Sequence, residues 1–212
     1  MSEELALPAP PLPPRSAVVT VGIFDGVHRG HQALLERLKS RARELNLKSV
    51  VVTFEPHPLR VLRPEAAPPQ LCTAAEKLEL LQQAGVNHVT VLPFTHRLAD
   101  LSPRAFVEQV LLAHFGLDHL VIGYDHGFGK DRSGDAATLQ SLGQELDYGV
   151  TVVPHTDLHA QPISSTRIRA LVTDGQVVEA AQALGRPYSF QGRVVRGDGR
   201  GRELGFPTAN LE

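Results

Sequence analysis

Two histidines three residues apart, His28 and His31, flank Arg29 and Gly30 within GIFDGVHRGHQALL, residues 22–35. Imidazoles at this spacing suit a metal pair, a surface pair on a helix, or hydrogen bonding to phosphate. A zinc site needs further ligands, and the only other close pair, His155 and His159, has no cysteine beside it. Gly22, Gly26 and Gly30 let backbone approach an anion with no Cβ in the way. An apolar, β-branched run precedes the motif. Leu34, Leu35, Leu38, Ala42 and Leu45 follow at helical spacing. The histidines therefore stand where a strand gives way to a helix, and free N–H groups with the positive helix end favour phosphate there. Nucleotidyl transfer asks for this placement and charge stabilisation, with little covalent work for the protein. If the nucleophile is itself a phosphate, its second pKa of about 6 leaves it ionised near neutrality, and no general base is required.

Three further motifs offer chemistry, each beside a plainer alternative. ISSTRIR, residues 163–169, places Ser164, Ser165 and Thr166 at a second helix start, followed by Arg167 and Arg169. Ser164 suits a simple N-cap, yet hydroxyls and guanidinium groups there also suit phosphate. Arg169 lies four residues after Ser165, so both can face one side of the first turn. TFEPHP, residues 53–58, rigidifies a strand exit with Pro56 and Pro58, while Phe54 and His57 offer flat faces to a planar ligand; a plain turn fits equally. GYDHGFGKDRSGD, residues 123–135, is a loop rich in glycine and charge, as suited to exposure as to function.

The elements that must position these residues follow from the pattern. Strands are expected near 17–23, 49–54, 88–92, 119–123 and 150–154, mostly continuous apolar runs as in parallel strands covered on both faces. Helices are expected from Ser102 and Pro103 to about His114, and near 136–146, 165–172 and 175–184. Strands alternating with helices imply βαβ units, hence an α/β, doubly wound, Rossmann-like parallel sheet, whose ligands bind at the carboxyl ends of the strands. Residues 1–16, with a proline run from Pro8 to Pro14, read as an extended, flexible tail. After Arg186 the texture turns to glycine, arginine and short strand-like pieces, the incomplete start of a β-barrel.

Composition bounds the rest. The 212 residues carry a net charge of −2 and 42% apolar content, so no global basic field recruits nucleic acid or an anionic membrane. One cysteine, Cys72, excludes an intrachain disulfide. The start lacks a signal-peptide pattern and no apolar run reaches spanning length, so a cytoplasmic location is expected.

Taken together and in this order, GIFDGVHRGHQ, TFEPHP, the 123–134 loop and ISSTRIR resemble the bacterial bifunctional riboflavin kinase/FAD synthetases, with His28, Gly30 and His31 fitting the HxGH signature of their adenylyltransferase module. The resemblance implies a nucleotidyltransferase domain over 17–186 that makes FAD and pyrophosphate from FMN and ATP with Mg2+. It implies that His28, His31 and Arg169 serve catalysis. ATP would meet Gly22, Phe24, Gly26, Gly30, Asp125, Ser164, Ser165 and Thr166, and the flavin Phe54, Pro56, His57 and Pro58. GRVVRGDGRGRELGFPTANL resembles the start of the kinase module, so 187–212 is expected to be a fragment of it. There Thr208 and Asn210 would bind ATP and magnesium in a complete module, and no phosphorylation of riboflavin is expected from this chain. The loop departs from the family in carrying Gly127 where arginine is usual. Two rivals stand beside this reading: another HxGH transferase, of the pantetheine-phosphate or nicotinate-mononucleotide type, and a flavin- or nucleotide-binding fragment without turnover.

Overall fold

The computed structural model describes residues 5, 7, 11–129, 133–197, 199–203, 205–206 and 208–211. Lys130, Asp131 and Arg132 of the glycine-rich loop lie outside them, as do Pro8, Pro10, Pro207 and Glu212.

Among the described residues, β1 (Ala17–Val21), β2 (Lys48–Glu55), β3 (His88–Pro93), β4 (Leu117–Gly123) and β5 (Gly149–Val153) form one sheet in the order β3-β2-β1-β4-β5. Every neighbouring pair is parallel, with Val19 opposite Val50 and Leu120 opposite Val150. Parallel neighbours need crossovers. Helix α1 (Arg29–Leu45) carries the chain from β1 to β2, and α2 (Pro58–Leu62) with α3 (Ala74–Gln83) from β2 to β3. Helices α4 (His96–Ala99) and α5 (Pro103–Phe106) lead to β4, and α6 (Ala136–Leu146) leads to β5. The direction of winding reverses between β1 and β4, the switch point of a doubly wound sheet.

Apolar runs form these strands because both faces are covered. Val19, Val21, Val50 and Val52 face Val107, Leu111 and Leu139. Val18, Val51 and Val121 point the other way, against Leu34, Leu35, Leu38 and Ala42 of α1 and Leu81 of α3. Thr73 starts α3 with a capping box, its hydroxyl accepting from the Glu76 N–H and the Glu76 carboxylate accepting from the Thr73 N–H. A small hairpin, β6 (Asp157–Leu158) with β7 (Gln161–Pro162), then leads into α7 (Ser165–Thr173) and α8 (Val177–Leu184). These two helices bury Ile168, Leu171, Ala180 and Leu184 against Leu71. Beyond them β8 (Val194–Val195) and β9 (Asn210–Leu211) make a short antiparallel pair with α9 (Arg200–Glu203) between them in sequence, which fits the incomplete start of a barrel.

Three expectations need correction. The described part of the proline-rich segment is seated: the Leu12 N–H donates to the His114 carbonyl at 2.9 Å, and Leu5, Leu7 and Leu12 pack on the core. Leu5, Leu7 and Leu12 give that segment apolar surface to bury. The helix from Ser102 is α-helical only to Phe106 and then widens into a π-helical turn, Val107–Leu112, which buries Val107, Val110 and Leu111 together. The first strand stops at Val21 rather than residue 23 because the chain turns left-handed at Phe24, where φ is 54°.

Leu38 is fully buried between α1 and the sheet. Leu38→Ala is expected to cost about 3 kcal/mol of unfolding free energy in urea titrations, as truncated core leucines do; a loss under about 1 kcal/mol would contradict the packing described.

Candidate active site

The turn from β1 to α1 is tightly wound. Phe24, Gly26 and Val27 all have positive φ, at 54°, 76° and 40°. Such conformations are costly for side chains with a Cβ, and they hold because Phe24 and Val27 are buried against α1. Glycine suits position 26, where φ is 76° and a Cβ would also lie 3.1 Å from Leu71 Cβ. The turn sends His28 back over the helix start. His28 is the N-cap of α1, its Nδ1 accepting from the His31 N–H at 3.3 Å. That bond makes Nδ1 the acceptor and Nε2–H the remaining donor of a neutral ring. The His31 ring stacks on it at 3.6 Å between centroids, and a Cβ at residue 30 would sit 3.2 Å from the His28 ring, so Gly30 keeps room for the pair.

This seam forms one wall of a cleft at the switch point. Val21, Gly22, Phe24, His28, Gly30 and His31 line one side; Gly123, Tyr124, Asp125 and His126 rise from the end of β4, Pro154 and His155 from the end of β5, and Ser164 and Ser165 from the start of α7. Two helix starts thus face one space. Burial, and then the field of Arg186, hold the His28 pKa down at about 4. Burial, then the neighbouring His28, push His31 well below the ordinary imidazole value. Both rings are neutral at pH 7, and His31 Nδ1 is buried without a hydrogen-bond partner among the described residues. An anion entering the cleft meets neutral N–H donors and backbone amides.

The other expected residues divide into those that join this cleft and those that do not. Ser164 caps α7 by accepting from the Arg167 N–H at 3.2 Å, while also lining the cleft. Ser165 Oγ donates to the Asp25 carbonyl at 2.9 Å. Gly26 stands behind the seam, its N–H donating to Cys72 Sγ at 3.2 Å. Thr166 is exposed outside the cleft. Arg169 is also outside it, with Nη2 on Asp25 Oδ2 at 2.7 Å and Nε on the Pro69 carbonyl at 2.8 Å. Arg167 braces the β6–β7 hairpin through the Leu158 and Gln161 carbonyls.

Phe54, Pro56, His57 and Pro58 gather at the end of β2, on the other side of β1 from β4 and β5. His57 caps α2, accepting from the Leu59 N–H at 3.1 Å; its pKa is lowered by burial, with Asp25 pulling the other way. Thr53 Oγ1 donates to the Ile23 carbonyl at 3.1 Å, tying this strand end to the seam. Asn210 pairs across from Val195 in the carboxyl-terminal strands, and Thr208 stands against Gly201. Among the described residues no group of three or more His, Cys, Asp or Glu is placed to hold a metal ion, so His155 and His159 do not build one; His155 instead pairs with Asp157 at 2.6 Å.

Sequence reasoning passed over two residues. Asp25 is 4% exposed and accepts from Arg169, Leu71 and Cys72. A single acid inside an apolar, glycine-rich turn was the available signal. Arg186, which lowers the His28 pKa, has Nη1 buried with no hydrogen-bond partner among the described residues; nothing in its sequence context marked it.

A doubly wound sheet whose switch point carries a His-x-Gly-His helix start is the fold of the HxGH nucleotidyltransferase type. The comparisons with known proteins are specific. A family model described as FAD synthetase matches residues 11–167, and one described as riboflavin kinase matches residues 184–212. The chain belongs to the FAD synthetase family. A bifunctional riboflavin kinase/FMN adenylyltransferase of Escherichia coli strain K12 is 40% identical over 199 residues, which is 94% of this chain and 64% of that protein. A protein of the same description from Pseudomonas fluorescens is 41% identical over 93% of this chain and 63% of its own length. The chain therefore spans somewhat less than two thirds of these curated relatives. The crystal structure of a macrolide-efflux protein from Streptococcus pneumoniae matches with a TM-score of 0.80 and 35% identity, over 95% of this chain and 66% of that one. Among the described residues no helix is long and apolar enough to cross a membrane.

The neutral pair has a pH consequence. The unfolded chain binds a proton at His28 near pH 6.5 and the folded chain only near 4. Stability from this group is complete above about 6.5 and is lost as pH falls towards 4. His28→Asn keeps a capping side chain and removes the imidazole. Urea midpoints are expected to fall less steeply with acid in this variant than in the wild type; parallel curves would refute neutral burial.

Proposed function

We propose that residues 17–186 transfer AMP from ATP to FMN, giving FAD and pyrophosphate, and that residues 187–212 are the first part of a riboflavin kinase module. The observation that carries the proposal is the stacked His28–His31 pair facing Ser164 and Ser165 across a cleft at the switch point. Such a wall suits a triphosphate. A phosphate oxygen of FMN attacks the α-phosphorus of ATP in line, a new P–O bond forms, and the bond to the bridging oxygen breaks as pyrophosphate leaves. His28 Nε2–H and His31 would steady the charge gathering on the phosphoryl oxygens, and the amides at the starts of α1 and α7 would hold the rest.

ATP would lie over β1, β4 and β5, with Asp125 beside its sugar or base. The flavin would lie at the end of β2, against Phe54, Pro56, His57 and Pro58. The tie from Thr53 to Ile23 supports this division, because it keeps the two regions in fixed relation across the seam.

Mg2+ belongs to the proposal as a companion of the triphosphate. The ion favours substrate phosphates with one or two carboxylates over an all-protein cage. Bound, it would neutralise phosphate charge. Thr208 and Asn210 enter as magnesium-site residues of the kinase module, and a working riboflavin kinase is not part of the proposal. We further propose a cytoplasmic protein with no nucleic-acid or membrane partner.

The test is chromatographic. The chain is incubated with ATP and Mg2+, with FMN in one tube and riboflavin in another, and the flavins are separated. FAD from FMN, with riboflavin unchanged, is expected; untouched FMN would overturn the transfer reading. His28→Asn should lower kcat by roughly 10²–10³-fold, as loss of one transition-state donor does, with ATP affinity changed far less. Equal losses in binding and turnover would remove His28 from catalysis.

A further inference from the structure

Two helix starts can grip one triphosphate only if their separation is fixed, and the sheet's hydrogen bonds do not reach α7. Asp25 bridges the gap. It lies inside the strained turn that delivers His28, and it is 4% exposed. Its Oδ2 accepts from Arg169 Nη2 of α7 at 2.7 Å, and its Oδ1 from the Leu71 N–H at 2.9 Å. Its own carbonyl accepts from Ser165 Oγ at 2.9 Å, so side chain and backbone of one residue both hold the start of α7. Arg169 is fixed in turn by the Pro69 carbonyl. A buried carboxylate is tolerated only while every partner stays in place, which gives this cluster a single favoured geometry.

We propose that Asp25 is a positioning residue for nucleotide transfer, and that Arg169 acts through Asp25 rather than by touching phosphate. The inference rests on the transfer reading above and refines it. Asp25 sets where Ser164 and Ser165 stand relative to His28 and His31, and Arg169 is the strut that completes the clasp. With Nη2 on Asp25 and Nε on the Pro69 carbonyl, two of the three guanidinium nitrogens of Arg169 are already committed to the clasp.

A double-mutant cycle separates the alternatives. Asp25→Asn, Arg169→Gln and the double variant are compared with the wild type for ATP affinity by calorimetry and for kcat/KM of FAD formation, after circular dichroism confirms the fold. If the two act as one clasp, each single change lowers both quantities by roughly tenfold, and the double variant is no worse than the poorer single within about threefold, since coupled residues are not additive. Asp25→Asn behaving as wild type while Arg169→Gln loses ATP affinity would overturn the proposal, as would multiplied losses in the double variant. Should Asp25→Asn fail to fold, a crystal structure of the wild type with a non-hydrolysable ATP analogue decides: the Asp25–Arg169 pair intact with no guanidinium contact to phosphate supports the clasp, and any guanidinium nitrogen on phosphate overturns it. If the wild type makes no FAD, the transfer reading alone falls; ATP affinities across the cycle and the analogue complex still decide what Asp25 does.

Discussion

The structure turns on a backbone constraint four residues long. Between Phe24 and Val27 the chain reverses with three left-handed residues, two of which carry side chains that disfavour the conformation. Each such residue costs on the order of 1–2 kcal/mol, and Val27, being β-branched, sits at the expensive end. Burial of both side chains against α1 offsets the strain. From this one reversal the rest follows: His28 is thrown over the helix start, Asp25 is turned inward, and the glycine amide at 26 is delivered to Cys72. An extended route through these residues would leave a strand and a helix but no site.

The sheet supplies the complementary space. Because winding reverses between β1 and β4, no crossover covers their carboxyl ends, and the loops after β4 and β5 splay around an opening. Gln32 fastens the structure from below, donating to the Val27 carbonyl at 3.0 Å and the Leu184 carbonyl at 2.9 Å. The turn is thereby held by α8 as well as by α7. Neutral imidazoles are a physical outcome of this enclosure, since water is too scarce around them to support a charge.

Much of this was legible in the sequence because periodicity reports burial. Runs such as residues 49–54 marked strands covered on both faces, and Leu34, Leu35, Leu38 and Ala42 marked the inner stripe of α1. The helix starts at Ser102 and Ser164 were legible through cap chemistry. The His28–His31 seam was legible as a place, at a strand-to-helix exit. What resisted reading was direction. Arg169 could be placed on the same side of α7 as Ser165, but its choice of a carboxylate 144 residues away depends on tertiary contacts that spacing does not encode. The same holds for Gly26, whose amide turns from the cleft to a thiol. Widening of the helix after Phe106 was hidden because α and π turns place similar apolar residues inward over so short a span.

The opposite end of the sheet is closed. The Leu12 N–H donates to the His114 carbonyl shortly before β4, the Ser16 N–H donates to the Gly116 carbonyl, and Arg15 grips the Leu146 and Asp147 carbonyls between α6 and β5. Since β1 enters from this side, the five residues of that strand, roughly 17 Å at 3.3 Å each, separate the sealed pole from the open one. The molecule is therefore polar in the architectural sense, with a floor and a mouth. Reporter groups or surface tethers joined to the segment before β1 attach at the floor, and an immobilised chain presents its cleft outward to solution.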